Sequence, residues 1–337
     1  MDKEEAMKIL SAIRYPGYSK SLTDFKVVKS VEVENNVVEV LLNLGTADAN
    51  KRKIIFDEIR ARFGEKGVDV KISTVQEKGS KVEQKHYVQS AKKRIAILSA
   101  KGGVGKSTFS VSLTIALKLR GHRVGIFDAD MHGPDIPRML GVNEHAGADK
   151  EKNKIIPNEK NGIFSMSLGY VVDPETPVIW KGAMITKAIV ELLQFTDWPV
   201  MDYFVVDLPP GTGDAALTIK QNMDVDGAVI ITTPNRLAVA DALRTVSFFK
   251  QVGINVTGFV ENMGYFICDK CGGKSYPFGK MDPKAIEDQL GVPSLGVVPF
   301  EPKVEEAADD GELLSITDTE FFSVMDSIAE KIEKELS

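Results

Sequence analysis

The sequence contains few cysteines, no long apolar run and no excess of positive charge. Only two of its 337 residues are cysteines, so a secreted scaffold held by several disulfides is excluded. Its apolar runs, such as residues 227–231, are far shorter than the ~18 residues of a membrane-spanning helix. Lysine and arginine number 42 against 48 acidic residues, and the net charge of −6 disfavours partners such as nucleic acid or an anionic membrane. The polar, acidic start is unlike a targeting peptide, so the expected compartment is the reducing cytoplasm.

The chain is predicted to have two domains of unequal size. Hydrophobic residues make up 43% and charged residues 27%, an ordinary globular mixture, and ~150 residues per domain gives about two domains. Residues 1–75 are predicted to form a small α+β domain, 76–93 a polar linker, and 94–337 the large domain. The elements predicted in the small domain are helices at 4–13 and 50–63, a hairpin of strands at 25–33 and 37–44 around Asn35-Asn36, and a strand at 68–72.

Short β-rich runs alternate with longer helical segments in the large domain. This alternation predicts an α/β fold, a mostly parallel, doubly wound sheet with helices on both faces. The predicted strands are 95–99, 124–128, 203–207, 228–232, 256–261 and 295–298. The predicted helices are 107–120, 183–194, 237–251, 283–290 and 320–335.

A glycine-rich loop joins the first of these strands to the first helix, as a P-loop requires. Phosphate oxygens need several converging N–H donors, and the loop Gly102-Gly103-Val104-Gly105 lets the backbone approach them closely. Lys106 is predicted to reach the β and γ phosphates. Ser107 is predicted to ligate Mg²⁺, and Thr108 to lie near the α phosphate.

Lys101 is a second lysine inside the same loop. A lysine here is either a solvated surface residue or a contact for additional phosphate charge. The arrangement K-G-G-x-G-K-[ST]-[ST] resembles the deviant Walker A motif of MinD/ParA-type ATPases, in which this lysine reaches the nucleotide of the partner protomer. The resemblance implies that Lys101 is a catalytic contact made across a dimer.

Acidic side chains follow two of the predicted strands at their carboxyl ends, where ligands bind in open α/β sheets. Resemblance to the same ATPases implies that Asp130 positions the attacking water and that Asp128 belongs to the Mg²⁺ shell, although Asp128 is also suited to cap the following turn. Asp207 ends the apolar strand 203–207 in the manner of a Walker B motif. Gly211, in the stiff turn that follows, is predicted to sense a γ phosphate through its N–H.

The nucleotide is predicted to be ATP. A GTPase of this size normally carries N-K-x-D after a strand, and Asn153-Lys154 is followed by two isoleucines instead. By analogy with the ATPase class, Asn262 is a candidate base contact, and a turn-forming asparagine is the alternative.

Both cysteines lie in one C-x-x-C, Cys268 and Cys271, flanked by Gly272-Gly273. The glycines disfavour the helix that a thioredoxin-like redox pair needs. A structural zinc needs four ligands, and the sequence has no second C-x-x-C or paired histidines. Two chains together offer four thiolates, which suits a shared zinc and a shared cluster equally well.

The assembled motifs resemble the Mrp/ApbC family of iron–sulfur cluster carrier ATPases over roughly residues 91–337. The matching segments are the P-loop, D-A-D-M-H-G-P-D-I-P-R-M-L-G at 128–141, P-V-I-W-K-G at 177–182, D-L-P-P-G-T-G-D at 207–214 and V-E-N-M-G-Y-F-I-C-D-K-C at 260–271. The departures are Ala100, in place of the first P-loop glycine, and Asp135, where serine is commoner.

This resemblance implies a slow ATP hydrolase that works as a homodimer. Its Cys268 and Cys271 would hold a bridging [4Fe–4S] cluster, and ATP and Mg²⁺ would serve its delivery to apoproteins and its exchange with assembly scaffold proteins. Residues 1–75 resemble a small domain of iron–sulfur assembly factors. They lack the cysteine that free-standing relatives often carry, so a docking or regulatory role is expected.

Two other classes of function compete with this one. A zinc-bridged deviant-Walker ATPase would act as a targeting or positioning switch, but the C-terminal segment 326–337 mixes acidic and basic residues, unlike a basic membrane-binding helix. A metabolic kinase or reductase would leave the C-x-x-C without a role.

Overall fold

Two separate hydrophobic cores organise the chain in the computed structural model. One lies within the unit Met1–Gln84 and the other within Lys85–Ser337. The structure describes residues 1–16, 20–34, 37–44, 49–74, 86–131, 133–172, 182–211, 213–268 and 270–337. The predicted turn Asn35-Asn36 and residues 76–85 of the predicted linker lie outside the described residues.

The first unit packs two helices on a three-stranded sheet, as predicted for an α+β domain. The elements are α1 (Lys3–Ala12), β1 (Val28–Glu34), β2 (Val37–Leu42), α2 (Ala49–Gly64) and β3 (Asp69–Thr74). Strand β2 is central, antiparallel to β1 and parallel to β3. Asp2 and Glu5 form a capping box that starts α1, and the buried Leu10 and Phe63 bring both helices into the core.

The second unit is built around one large sheet. Its strands are β4 (Ala91–Ser99), β5 (Val124–Asp128), β6 (Gly147–Asp149), β7 (Lys154–Ile156), β8 (Asn158–Lys160), β9 (Ile163–Met166), β10 (Met201–Asp207), β11 (Gly227–Thr232), β12 (Val256–Glu261), β13 (Phe266–Ile267), β14 (Lys274–Ser275) and β15 (Ser294–Val297). Its helices are α3 (Lys106–Leu119), α4 (Ile136–Met139), α5 (Gly182–Phe195), α6 (Asp214–Asn222), α7 (Arg236–Gln251), α8 (Pro283–Leu290), α9 (Pro302–Asp310) and α10 (Glu320–Leu336).

Eight strands form the main sheet in the order β15-β12-β11-β4-β10-β5-β9-β8. All neighbours are parallel except β8 and β9. Helix α3 connects β4 to β5 in one direction and α7 connects β11 to β12 in the other, so right-handed crossovers put these helices on opposite faces. Every residue of β5, β11 and β12 is buried, as strands covered on both faces must be. The predicted doubly wound α/β fold is confirmed.

Some elements differ from the sequence prediction. Strand β4 begins at Ala91, four residues before the predicted start, because Lys92 and Lys93 interrupt its apolar pattern. The sequence patterns do not predict helices α6 and α9 or the short strands β9 and β8 at one end of the main sheet. Helix α9 is short and rich in acidic residues, and strands β8 and β9 are four residues or shorter, too short to show a clear apolar period.

Within the described residues, no helix is both long and apolar enough to cross a membrane.

Candidate functional site

The phosphate loop lies between the end of β4 and the start of α3. Helix α3 begins after Gly105, whose φ of 76° is left-handed, and no side chain caps its N-terminus. Its first N–H groups are therefore available to an anion, and the dipole of the helix favours negative charge there. A side chain at Gly105 would also collide with the amide of Asn262. Glycine is required at this position for both reasons.

Lys106 and Asp207 form a buried ion pair at the centre of the site. Lys106 Nζ lies 2.7 Å from Asp207 Oδ2, and both side chains are almost fully buried. The hydroxyls of Ser107 and Ser110 donate to the two oxygens of the same carboxylate, at 2.7 and 2.6 Å. Asp207 thus holds the predicted phosphate lysine and the predicted Mg²⁺ ligand together at the start of α3.

Asp128 lies beside Asp207 because the two residues are register partners on neighbouring parallel strands. Its Oδ1 accepts the N–H of Asp130 at 3.1 Å, so it caps the turn, and its Oδ2 accepts from Ser167 Oγ at 3.0 Å. Burial, and then the charge of Asp207, raises the pKa of Asp128 well above its ordinary value.

The pKa of Asp135 is raised by burial and then by the charges of Asp130 and Asp207. Three carboxylates, those of Asp128, Asp135 and Asp207, therefore interact with one buried lysine, Lys106. Mg²⁺ prefers hard oxygen ligands and takes most of its remaining ligands from water and phosphate, so the Ser107 hydroxyl and one or two of these carboxylates fit the predicted metal.

Lys101 points to a different acid. Its Nζ lies 2.7 Å from Asp241 Oδ2 on α7, and its side chain is 53% exposed. Asp241 also accepts from Arg244 Nη1 at 2.7 Å. The hydrogen bond from Lys101 is the main cause that lowers the pKa of Asp241. The extra lysine of the loop is thus held within its own chain.

The turn after Asp207 is tied back to β4. The N–H of Gly211 donates to the carbonyl of Ser99 at 2.8 Å. Thr212 of the same motif lies outside the described residues. A γ phosphate that engaged this N–H, as the sequence predicts, would have to displace the Ser99 carbonyl.

Asn262 joins the phosphate loop to a pocket. Its Nδ2 donates to the Val104 carbonyl at 2.8 Å, which fixes the loop from the end of β12. A narrow pocket, with room for about one water molecule, lies beside it and beside Thr108. The pocket is closed by Pro299, Phe300 and Glu301, which lie between β15 and α9, and by Val304 of α9.

The two cysteines lie in the hairpin of β13 and β14. Cys268 N–H donates to the Gly273 carbonyl at 3.0 Å, and Gly272 N–H donates to the Cys268 carbonyl at 2.8 Å. Cys268 is half-buried and Cys271 is exposed. A side chain at Gly273 would approach Cys271 Sγ to 3.3 Å, so the glycine leaves space around the sulfur. Asp269 lies outside the described residues.

Contacts outside the hairpin hold it in place. Tyr265 Oη and Lys274 Nζ both donate to Glu320 Oε1, at 2.8 and 2.9 Å, and the ammonium lies 4.1 Å from the centre of the Tyr265 ring. Within the described part of the chain, no group of three or more His, Cys, Asp or Glu side chains could hold a metal ion. Two thiols are the donor set that this hairpin presents.

The structure brings the predicted phosphate-loop residues together with Asp128, Asp130 and Asp207, and it places Asn262 against the loop. Of the predicted segment 177–182, all but Gly182 lies outside the described residues. Sequence reasoning missed Ser110, Ser167, Asp241 and the pocket segment 299–304. Only Ser110 had a local signal, because it lies three residues after Ser107 on the same face of a helix.

The sheet order and the phosphate loop define a P-loop NTPase. Solved structures of similar fold include a nucleotide-binding protein from Archaeoglobus fulgidus in complex with ADP, with a TM-score of 0.58 and 33% identity, covering 66% of this chain and 88% of that one. The septum site-determining protein MinD from Pyrococcus horikoshii, with Mg-ADP, has a TM-score of 0.55 at 19% identity, covering 72% and 96% of the two chains. That likeness concerns the fold alone.

Comparison of the sequence with known protein families identifies the family of this chain. The model of the ParA family described as NUBPL iron-transfer P-loop NTPase matches residues 90–333, and the chain belongs to this family. An iron-sulfur cluster carrier protein of Synechocystis sp. is 35% identical over 99% of this chain and 98% of its own length. The iron-sulfur cluster transfer protein NUBPL of Dictyostelium discoideum is 41% identical over 68% of this chain and 72% of its own length. The predicted resemblance to Mrp/ApbC-type carriers is confirmed.

Proposed function

We propose that this protein binds an iron–sulfur cluster, of the [4Fe–4S] type, and transfers it to apoproteins with the help of ATP. The observation that carries the proposal is the cysteine hairpin, which presents Cys268 and Cys271 on the same P-loop unit as the Lys106–Asp207 site. The names of the Synechocystis and Dictyostelium relatives support it.

The cluster is the cargo of this reaction and is shared by two copies of the chain. Each chain has two cysteines, whereas a [4Fe–4S] cluster takes four thiolates. Exposed thiolates exchange ligands readily, so the exposure of Cys271 suits release to an acceptor. A homodimer bridged at the hairpins satisfies both requirements.

ATP is bound by the phosphate loop. The N–H groups of residues 102–105 and of the start of α3 receive the phosphates, with Lys106 at the β and γ positions and Thr108 near the α phosphate. The base enters beside Asn262, where the narrow pocket widens to admit it, and Asn262 Oδ1 accepts a hydrogen bond from the amino group of adenine. Mg²⁺, when bound, neutralises phosphate charge, and Ser107 and Asp128 would hold it.

Hydrolysis of ATP is proposed to use the aspartates of the site together with a lysine from a second protomer. Asp130 orients the water that attacks the γ phosphorus. Asp207 holds Lys106 and Ser107 in position. Lys101 leaves Asp241 and contacts the nucleotide of the partner, so that a complete site forms only in the dimer.

The remaining assignments concern partners. The unit Met1–Gln84 is proposed to dock acceptor or assembly scaffold proteins, since the sequence of this unit contains no cysteine. The compartment is proposed to be the cytoplasm, where thiols stay reduced.

Nucleotide binding and cargo binding are tested separately. Equilibrium dialysis with Mg²⁺ and ATP should show binding that Lys106→Ala abolishes. Anaerobic reconstitution with iron and sulfide should give a visible absorbance that depends on both cysteines. A protein that bound only zinc would instead support the targeting or positioning switch, because the same thiol pairs also suit zinc.

A further inference from the structure

The cysteine hairpin is too small to fix its own orientation. Strands β13 and β14 have two residues each, and a two-stranded hairpin of that size is at best marginally stable alone. The orientation of Cys268 and Cys271 must therefore depend on what the hairpin packs against.

Phe300 provides much of that packing. Its N–H donates to the Tyr265 carbonyl at 2.7 Å, one residue before β13. Its ring lies 6.4 Å from that of Phe266, inside the hairpin, and 5.9 Å from that of Phe278, which follows the hairpin. Aromatic pairs at such distances add about 0.5 to 1.5 kcal/mol each beyond the area they bury.

Phe300 also lines the pocket beside the phosphate loop. It does so with Thr108, Asn262 and Pro299. One side chain therefore belongs both to the proposed base pocket and to the support of the cysteine hairpin. The side chain of Glu301, next in the chain, is anchored by the N–H of Phe321 at 2.7 Å, which limits where Phe300 can move.

We propose that Phe300 is a positioning residue through which a nucleotide in the pocket sets the orientation of the cysteine hairpin. This inference rests on the proposed function, since it takes the pocket to be the base site. A bound base needs more room than the narrow pocket has, so it pushes the Phe300 ring toward the hairpin and restricts its rotamers. The restricted ring then holds Phe266 and Phe278 more firmly, so the thiols of Cys268 and Cys271 become less accessible.

Thiol accessibility provides the direct test. The full chain is reduced without iron and treated anaerobically with iodoacetamide, with and without Mg²⁺ and ATP, and alkylation of each cysteine is followed by mass spectrometry. We expect nucleotide to slow alkylation by about fivefold or more, the lower end of coupling between two sites. Equilibrium dialysis measures nucleotide binding on the same samples.

Two variants separate coupling from folding. Phe300→Leu removes the shared ring. Phe278→Ala removes only the contact on the hairpin side, at a residue that is 46% exposed and outside the pocket. Phe278→Ala should bind nucleotide as the wild type does. Phe300→Leu is assayed at the ATP concentration that saturates it in equilibrium dialysis, and both variants should lose most of the effect of nucleotide on alkylation. Phe300→Tyr should keep the effect, and Phe164→Ala, a half-buried aromatic of β9, should leave it unchanged.

The outcomes distinguish this inference from the function on which it rests. An unchanged nucleotide effect in both Phe300→Leu and Phe278→Ala would overturn the role of Phe300. A wild-type protein that bound ATP without any change in alkylation would overturn it as well, and leave the cluster carrier proposal standing. A wild-type protein that bound no ATP would overturn both.

Discussion

Lys106 Nζ lies 2.7 Å from Asp207 Oδ2 in a site closed to solvent, where Ser107 and Ser110 donate to the same carboxylate. Two charges buried away from water are stable only as a pair, because each compensates the lost hydration of the other. The pair joins the first residue of α3 to the last residue of β10, so it fixes the phosphate loop against the sheet.

Removal of one member of this pair should cost more than removal of both. Lys106→Met leaves a buried carboxylate without its cation and should lower the free energy of unfolding by about 3 to 5 kcal/mol. The double variant Lys106→Met/Asp207→Asn should recover much of that loss while remaining unable to hydrolyse ATP. Denaturant unfolding of the two single variants and the double variant measures this, and purely additive losses would contradict it.

Asp241 should compete with the nucleotide for Lys101. Asp241→Asn releases the lysine for the partner protomer, so ATP-dependent dimerisation should become tighter. The gain should not exceed about fivefold, since a partly exposed ion pair is worth about 1 kcal/mol or less. Light scattering with and without ATP measures it.

Arg244→Ala is the matched control for this experiment. It removes the other cation on Asp241 and leaves the Lys101 contact in place, so dimerisation should not change. Lys101→Ala should abolish the ATP-dependent part of dimerisation. Dimers that form equally well with Lys101→Ala would contradict the role across the dimer.

Glu261 should make stability fall as pH rises. Burial raises its pKa to about 7 from an ordinary value of 4.5, and its Oε2 has no hydrogen-bond partner among the described residues. Between these two values the unfolded chain releases the proton and the folded chain keeps it, so up to about 3 kcal/mol is lost on going from pH 4.5 to above pH 7.

Glu261→Gln removes this titration. Its melting temperature should exceed that of wild type above pH 7, and the difference should shrink toward pH 4.5. The exposed Glu306→Gln is the control and should follow wild type at every pH. A constant difference between Glu261→Gln and wild type across this range would show that Glu261 does not titrate in it.

The unit Lys85–Ser337 should fold without the first unit, because each has its own core. A chain that begins at residue 85 should unfold cooperatively and bind ATP like the full chain. Its rate of cluster delivery to acceptors should fall if the first unit docks them. A truncated chain that does not fold would contradict the independence of the second unit. Cluster delivery at the full rate would contradict the docking role of the first unit.

The sequence predicted those parts of the site that depend on local signals. The phosphate loop, the ends of β5 and β10 and the cysteine pair each combine a short motif with a strand or a turn. The partnership of Lys101 with Asp241 and the pocket at Pro299 and Phe300 had no such signal. Both features form where elements that are distant in the chain meet near the carboxyl ends of the strands. Only the fold brings these elements together.

Metal and sulfide analysis of the anaerobically reconstituted protein tests the proposed cargo most directly. We predict about four irons and four sulfides per dimer with the visible absorbance of a cluster, and their loss in Cys268→Ala/Cys271→Ala. The same double variant should still bind ATP, since the cysteines lie between β13 and β14 whereas the phosphate loop lies between β4 and α3. A double variant that kept its iron, or a wild-type dimer that held only zinc, would contradict the proposal that this protein is an iron–sulfur cluster carrier.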